Sequence, residues 1–275
     1  MAQKVWFITC ASRGFGAVIA AAVLASGDKL VATARALPGL EHLGTNDNLL
    51  TLAMDVTSRP QVKKAISAAR KQFKRIDVLV NNAGFGLLGA VEETSAKEVE
   101  HLYQTNVFGL LNVTRAVLPL MRKRRSGHIM NFSSVGGYNS RAGFGIYCSS
   151  KFAVEGISEA LHDELAPLGI HVTVVEPGAF RTDFLDNSSL ARTETIIPDY
   201  EETVGKVRQW AQDKNHQQQG DSAKLAQAIL QLANSTEPPL RLPLGTDTLQ
   251  RIAEKNAFVE KETEKWRAVA ASTDF

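Results

Sequence analysis

The sequence predicts an α/β protein with one doubly wound, mostly parallel sheet and helices on both of its faces. Two observations carry this prediction. The first 180 residues alternate short β-rich runs with longer helical patterns, which is typical of βαβ units. The chain's 275 residues, 44% hydrophobic and 22% charged, suit a globular protein, and we predict a single domain over residues 1–275.

The predicted elements alternate regularly up to residue 180. The strands are Lys4–Thr9, Leu30–Thr33, Leu49–Met54, Val78–Val80, His128–Phe132 and Ile170–Val175. The helices are Gly14–Ser26, Arg59–Phe73, Ala96–Met121 and Tyr147–Leu165. Right-handed crossovers give a Rossmann-like sheet, in which ligands bind at the carboxyl ends of the strands. We therefore expect the functional site in the turns after residues 9, 33, 54, 81, 132 and 176.

The pattern changes after Gly178. Residues 184–220 are rich in Asn, Ser, Thr, Pro and Gln around short helical pieces such as Tyr200–Asp213, and Leu240–Leu244 and Leu249–Val269 read as a seventh strand and a closing helix. This part is too small for a separate domain. We predict that 184–220 form a substrate-binding lid.

Composition excludes several classes of function. The net charge of +2 gives no general reason to expect nucleic acid or a membrane surface as a partner. The longest apolar run, Ala17–Ala25, is far shorter than a membrane span, and no signal peptide is apparent, so a cytoplasmic protein is expected. Two cysteines cannot form a disulfide framework, and the six histidines lack ligand spacing, so no metal is predicted.

A glycine-containing turn, Thr9–Gly16, follows the first strand and opens a helix. Such a turn lets the backbone approach phosphates, which the helix N-terminus attracts. Taken alone, the turn is also compatible with a tight bend that binds nothing, although phosphate binding is the favoured interpretation.

Tyr147 and Lys151 lie four residues apart on a predicted helix and therefore share one face. A tyrosine with its usual pKa of about 10 is a poor acid–base group at neutral pH, and a nearby ammonium lowers that pKa. Ser134, at the end of a strand, can hydrogen-bond a substrate oxygen. Each of these residues also has an ordinary structural interpretation. A tyrosine on a helix usually packs, a lysine is usually a solvated charge, and Asn106 could kink or cap a helix.

Seven motifs in order resemble the short-chain dehydrogenase/reductase family. They are Thr9–Gly16 (TGxxxGxG, with Cys10 at its first glycine), Asp55-Val56, Asn81–Gly84 (NNAG), Asn106 in TNVFG, Ser134 closing NFSS, Tyr147–Lys151 (YxxxK) and Pro177-Gly178 with Thr182 (PGxxxT). The resemblance covers about residues 4–183 and extends more weakly to the C-terminus.

The resemblance implies hydride transfer between a nicotinamide cofactor and a carbonyl or alcohol carbon. Its implied catalytic residues are Asn106, Ser134, Tyr147 and Lys151, with Asn106 holding a water in a proton relay. Its implied cofactor-binding residues are Thr9, Ser12, Arg13, Gly14, Phe15, Gly16, Arg35, Asp55, Val56, Asn82, Ala83, Gly84, Tyr147, Lys151, Pro177, Gly178, Phe180 and Thr182. The predicted substrate-binding residues are Ser134, Gly136, Tyr138, Phe144, Tyr147 and Phe184.

The end of the second strand indicates NADP(H). NAD-preferring relatives carry an acidic residue there, whereas this chain has Ala34 followed by Arg35. Arg13, just before Gly14, adds a second cation for a 2′-phosphate. The alternative is that both arginines are ordinary surface charges.

The leading hypothesis is an NADPH-dependent reductase of a hydrophobic ketone or aldehyde. Its pocket is expected to be lined from Gly86-Leu87, Val135–Tyr138, Phe144, Ala179 and the 184–212 segment, including Tyr200 and Trp210. The segments around Tyr147 and Pro177 look similar to the branch that holds 17β-hydroxysteroid and retinol dehydrogenases. The alternatives are a non-catalytic NADP-binding sensor or regulator and an NAD-dependent alcohol or hydroxysteroid dehydrogenase. The resemblance also implies a homodimer or homotetramer through the helices at 96–121 and 147–166.

Cys10 is the one departure from the family's glycine motif. We expect its backbone to lie in the ordinary β-region, so that the side chain needs only a small pocket and NADP(H) still binds.

Overall fold

The computed structural model describes residues 3–275 and confirms the α/β prediction. The main-sheet strands are β1 (Val5–Ile8), β2 (Lys29–Ala34), β3 (Leu49–Ala53), β4 (Val78–Asn81), β6 (Gly127–Phe132), β7 (Ile170–Pro177) and β9 (Arg241–Leu244). Across residues 3–275 these seven strands pair in parallel in the order β3-β2-β1-β4-β6-β7-β9. The order reverses between β1 and β4, which is where ligands bind in such sheets.

Helices cover both faces of the sheet. They are α1 (Gly14–Ala25), α2 (Arg59–Phe73), α3 (Ala96–Tyr103), α4 (Leu110–Arg124), α5 (Gly145–Leu165), α6 (Lys206–Asp213), α7 (Ser222–Ala233) and α8 (Thr246–Ala271). Side chains alternate across β1: Trp6 and Ile8 enter one core layer with α1 and α7, while Val5 and Phe7 enter the other with α2 and α4. The strands are mostly apolar because helices bury both faces, with a few buried polar residues such as Asn131 and Glu176.

The predicted long helix Ala96–Met121 is interrupted. A π-helical turn, Gln104–Gly109, separates α3 from α4 and contains Asn106. Gly109 in this turn lies against Val56, and a Cβ there would come within 2.5 Å of the valine side chain. The contact with Val56 joins two distant parts of the chain. The hydrophobic periodicity of residues 96–121 therefore gives no sign of the interruption.

A small second sheet lies beside the main one. Strand β5 (Gly86–Leu88) pairs in parallel with β8 (Leu190–Arg192), which belongs to the predicted lid. Neither strand was predicted, because three residues are too few to show a strand pattern. A fully buried Glu93 carboxylate, ion-paired with Arg208 of α6, also ties the lid segment to the body.

The closing helix α8 begins at Thr246, three residues before the predicted start, and its C-terminal half is exposed. Within residues 3–275, no helix combines the length and apolar character needed to cross a membrane.

Candidate active site

A cavity of about 310 Å³ opens at the carboxyl ends of the sheet strands. Its size is in the range of small-molecule sites. Fifteen of the predicted site residues line it: Arg13, Gly14, Phe15, Asn82, Gly84, Ser134, Gly136, Phe144, Tyr147, Lys151, Pro177, Gly178, Phe180, Thr182 and Phe184. The chain thus brings the motifs after β1, β4, β6 and β7 to one place, together with the lid residue Phe184.

The turn after β1 corrects one expectation. Cys10 has φ 57, in the left-handed region, and not the predicted β-region. This conformation directs its carbonyl to the Asn82 amide, whose Nδ2 donates to it at 3.1 Å. The same carbonyl oxygen lies against Gly16, where a Cβ would come within 2.1 Å. The turn therefore needs a bare Gly16 and a positive φ at position 10.

Thr9 holds this turn to the strand beside it. Its Oγ1 accepts hydrogen bonds from the backbone amides of Asn82 and Ala83, both at 2.9 Å. Thr9 itself does not line the cavity, and it acts by holding together the two loops that do. The other predicted cofactor-binding residues of these loops that do not line the cavity are Ser12, Gly16 and Ala83.

Replacing Cys10 tests the backbone strain. Cys10→Gly removes roughly 1–2 kcal/mol of left-handed strain but adds roughly 0.5–1 kcal/mol of unfolded-chain entropy. We therefore expect the free energy of unfolding to rise by roughly 0–1.5 kcal/mol and NADPH affinity to change less than tenfold. Cys10→Val should destabilise the fold by roughly 1–3 kcal/mol. Urea unfolding measures the stability of these variants, and NADPH titration under reducing conditions measures their cofactor affinity. A Cys10→Val variant as stable as the wild type would contradict the backbone strain assigned to position 10.

Tyr147 and Ser134 both line the cavity. Tyr147 is 7% exposed, and its ring packs against Phe144 and Phe184. Burial raises the pKa of the Tyr147 phenol, while a hydrogen bond with Ser134 acts in the opposite direction. The Ser134 hydroxyl also accepts from the Gly136 amide at 3.0 Å, which leaves its own hydrogen available.

Lys151 does not lower the tyrosine pKa in the way the sequence predicted. Its Nζ lies 5.9 Å from the Tyr147 ring centroid and donates to the Phe132 carbonyl at 2.8 Å. Burial lowers the pKa of Lys151 to about 8, against the opposing charge of Glu155. The raised phenol pKa reflects desolvation, which outweighs charge effects at a fully enclosed group.

Asn106 lies behind the cavity wall. Its Nδ2 donates to the Phe85 carbonyl at 3.0 Å and to Ser150 Oγ at 3.1 Å, and its Oδ1 accepts from the Phe85 amide at 3.1 Å. The Gly84 backbone packs against Asn106 and Lys151. Asn106 therefore positions the loop after β4 beside Lys151.

Several predicted pocket residues lie outside the cavity wall. Tyr138 donates its hydroxyl to Asn256 of α8, and Tyr200 donates to Glu92, each at 2.5 Å, so neither ring lines the cavity. Gly86 and Leu87 are paired with β8. These predictions were wrong because each residue contacts a segment far away in the sequence, and the sequence pattern gave no sign of that contact.

The remaining predicted nucleotide contacts lie outside the cavity. Asp55 accepts hydrogen bonds from the backbone and hydroxyl of Thr57, and Val56 is buried. Arg35 is exposed just after the end of β2. Arg13, by contrast, lines the cavity and donates to the Ser188 carbonyl at 2.5 Å.

Several cavity residues escaped the sequence analysis. Arg141, Gln218, Asp247 and Arg251 all line it, and Asp247 Oδ2 accepts from the Ala179 amide at 2.8 Å. No local spacing links these positions to the motifs. Asp183, Asp186 and His216 form another unpredicted group, in which His216 pairs with Asp186 at 3.3 Å.

A family model described as short chain dehydrogenase matches residues 4–193. The match includes the turn after β1 and the Tyr147–Lys151 pair described above. The chain belongs to this family. The protein is therefore an oxidoreductase of the short-chain dehydrogenase family, as the sequence resemblance implied.

Similar proteins cover nearly the whole chain. Oxidoreductase BOA17 of Botryotinia fuckeliana is 36% identical over 98% of this chain and 99% of its own length. The 3-ketodihydrosphingosine reductase of Bacteroides thetaiotaomicron is 37% identical over 89% of each chain. A solved short-chain dehydrogenase from Streptomyces avermitilis has a TM-score of 0.92 and 41% identity over 99% of both chains.

Other family members have been solved with nicotinamide cofactors. ElxO with NADP bound is 27% identical over 90% of this chain and all of its own, with a TM-score of 0.75. A 3-ketoacyl-(acyl-carrier-protein) reductase of Brucella melitensis complexed with NADH is 26% identical over 88% of this chain and 96% of its own, with a TM-score of 0.74.

The residues present here fit such a cofactor. Helix α1 begins at Gly14, whose φ of 54 opens the helix N-terminus to the cavity, and its first turn carries no acidic side chain. A helix N-terminus without a carboxylate favours phosphate. Lys151 and the bare Gly84 backbone lie at the other end of the same wall.

Proposed function

We propose that this protein is an NADPH-dependent reductase that converts a hydrophobic ketone or aldehyde to an alcohol, reversibly. The observation that supports it best is the buried Tyr147 phenol, which lines the same cavity as Ser134 and has the Lys151 ammonium 5.9 Å from its ring centroid. A non-catalytic binding protein has no need for a desolvated phenol beside a buried ammonium.

The residues divide the proton chemistry between them. When bound, the cofactor supplies the hydride that attacks the carbonyl carbon. Ser134 donates a hydrogen bond to the substrate oxygen, and Tyr147 transfers its proton to that oxygen as charge develops on it. With a pKa of about 8, Lys151 is mostly charged at neutral pH and stabilises the phenolate left on Tyr147. Asn106 keeps the loop that faces Lys151 in place.

The cavity wall favours an apolar substrate. Phe144, Phe184, Leu185 and Trp210 surround the space next to Tyr147. A relative named 3-ketodihydrosphingosine reductase supports a long-chain ketone as the kind of compound to test. A panel of ketones and aldehydes, followed by NADPH absorbance, tests the proposal; no turnover of any carbonyl would contradict it.

We propose NADP(H) over NAD(H) on the residues near the end of β2. Ala34 carries no carboxylate that would repel a 2′-phosphate, and the charges of Arg13 and Arg35 both reach the neighbouring Cys10. The two arginines therefore both lie near the turn after β1, beside the end of β2, where such folds bind the adenosine ribose.

Removing both arginines should reverse the cofactor preference. In Arg13→Gln/Arg35→Gln, NADPH binding is expected to weaken by about 2–4 kcal/mol, because charged hydrogen bonds are worth roughly 1.5–3 kcal/mol each and Arg35 is exposed. NADH binding, measured by the same fluorescence titration, is the internal control and should barely change. Equal losses for both cofactors would assign the arginines to the fold and favour NAD(H), which a solved relative holds.

We also propose that the protein assembles as a homodimer or homotetramer through α4 and α5. Phe108, in the π-helical turn that leads into α4, and Phe152, on α5, expose 47% and 44% of their surface, and exposed apolar side chains of this size suit a protein interface.

Charged substitutions should break this assembly. Phe108→Glu/Phe152→Glu is expected to sediment as a monomer, because two carboxylates cannot be desolvated in an apolar interface. Phe258→Glu, at an exposed site on α8, is the control and should keep the wild-type mass. An unchanged mass in the double variant would place the interface elsewhere.

A further inference from the structure

Two arginines lie in the wall of the catalytic cavity without an assigned role. Arg141 precedes α5, and Arg251 belongs to α8. The Arg141 residue keeps an exposed surface, but its guanidinium carbon lies 4.8 Å from the Phe144 ring centroid and 4.2 Å from that of Trp210. Stacking between two rings holds a planar guanidinium in one orientation.

Neither arginine has a carboxylate partner. Among residues 3–275, Arg141 and Arg251 form no ion pair, and the Arg141 side chain donates no hydrogen bond. Arg251 donates one NH₂ group to the Asn139 carbonyl at 2.5 Å. The cavity's acidic residue on α8, Asp247, accepts from the Ala179 backbone instead.

The two positive charges also act on each other. Burial and the charge of Arg251 both lower the pKa of Arg141. A like-charged pair in a partly desolvated wall is unfavourable unless an anion neutralises it. Arginine is suited to that anion because its donors match a carboxylate bidentately.

The neighbouring wall is apolar. Phe144, Phe184 and Trp210 line the same cavity as the arginines and the Tyr147–Ser134 pair, together with the buried Cys148. One cavity thus holds a proton donor, an apolar stretch, and two guanidinium groups that have no carboxylate partner.

We propose that Arg141 and Arg251 form a carboxylate-binding subsite, so that the preferred substrate is an oxo acid. Its carbonyl lies at Tyr147 and Ser134, its hydrocarbon chain lies against the aromatic wall, and its carboxylate pairs with the arginines. The hydride reaches the carbonyl carbon and the tyrosine proton reaches the oxygen, while the carboxylate is unchanged. The role of this subsite in catalysis rests on the proposed reductase function. Its ability to bind an anion does not.

Matched substrates test the subsite. A series of methyl-ketone oxo acids of increasing chain length is compared with the corresponding methyl esters, using NADPH absorbance. The best acid is expected to have a kcat/KM at least tenfold above its ester, since a charged hydrogen bond contributes about tenfold or more. Equal values for acid and ester at every chain length would overturn the subsite while leaving the reductase function intact.

Variants separate the subsite from a structural role. Arg141→Gln and Arg251→Gln should each raise KM for the acid about tenfold, with kcat and the ester's kinetics little changed. Arg141→Lys should fall between Arg141→Gln and the wild type, and Arg122→Gln, on the exposed end of α4, should resemble the wild type. Parallel losses for acid and ester would overturn the proposal.

A binding measurement works without turnover. Octanoate should raise the melting temperature of the wild type in the presence of NADP, octanol should raise it less, and Arg141→Gln should lose the difference. If this holds while no carbonyl is reduced, the subsite stands and the proposed reductase function fails. Identical shifts for octanoate and octanol in the wild type would overturn the subsite.

Discussion

Tyr147→Phe is expected to abolish carbonyl reduction while leaving NADPH affinity almost unchanged. The substitution removes only the phenolic oxygen, so the ring keeps its packing, with centroids 6.1 Å from Phe144 and 5.5 Å from Phe184. Loss of a positioned proton donor lowers rates by roughly 10²–10⁴-fold, and kcat should fall by that much. Steady-state kinetics on the best carbonyl of the panel and NADPH fluorescence titration give the two values.

Two variants show whether the loss is specific. Lys151→Ala should lose both turnover and NADPH affinity, because Lys151 lines the cavity and is also one of the cofactor-binding residues that the family resemblance implies. Tyr103→Phe is the matched control: it removes a hydroxyl that donates to Ser149 of α5 at 2.9 Å, outside the cavity, and should retain activity. A Tyr147→Phe enzyme with near-wild-type kcat would refute the assigned proton donor.

The main sheet was predictable because its strands are buried on both faces. Runs such as Val5–Ile8 and Ile170–Pro177 stand out as β-rich and are followed by helices, so their order and boundaries were within two residues of the structure. Strands β5 and β8 were not predictable. Each has three residues and forms only because the lid segment folds back over the loop after β4.

The candidate site was predictable where its residues are local in sequence. Tyr147 and Lys151 share a helix face, and Ser134 and Asn82 follow strands whose ends meet at one edge. Residues fixed by distant contacts were not. The φ of Cys10 depends on an amide 72 positions away, and Arg141 approaches Arg251 only because α8 returns to the cavity.

Helix α5, which carries Tyr147 and Lys151, is tied to the sheet by a network that the sequence analysis missed. Arg241 of β9 pairs with Glu155 and Glu159 of α5 and with Glu176 of β7. The side chains of Glu155 and Glu176 are 6% and 0% exposed. Burial raises the pKa of Glu155 to about 7, assisted by the charge of Glu176 and opposed by a hydrogen bond to Ser133 and by Arg241.

Arg241→Met should therefore destabilise the protein strongly, and more so at high pH. Removing one partner of a buried ion pair costs roughly 3–5 kcal/mol, because it leaves the remaining charges uncompensated. Since the folded pKa of Glu155 is raised, its contribution to stability is present below its unfolded value of 4.5 and is lost as pH rises through about 7. Without Arg241 this carboxyl is protonated still more readily, so the loss should be about 3 kcal/mol or more at pH 8.5 and smaller at pH 6.

Urea unfolding at the two pH values measures this loss. Arg267→Met is the matched control, because Arg267 pairs with Glu264 on the exposed part of α8, where an ion pair contributes less than about 1 kcal/mol. Adding Glu155→Gln to Arg241→Met should recover part of the stability at pH 8.5, since it removes one of the stranded carboxylates. If Arg241→Met and Arg267→Met unfold at the same urea concentration at pH 8.5, the network does not hold α5, and the position of Tyr147 must depend on the apolar packing around β5 and β8 instead.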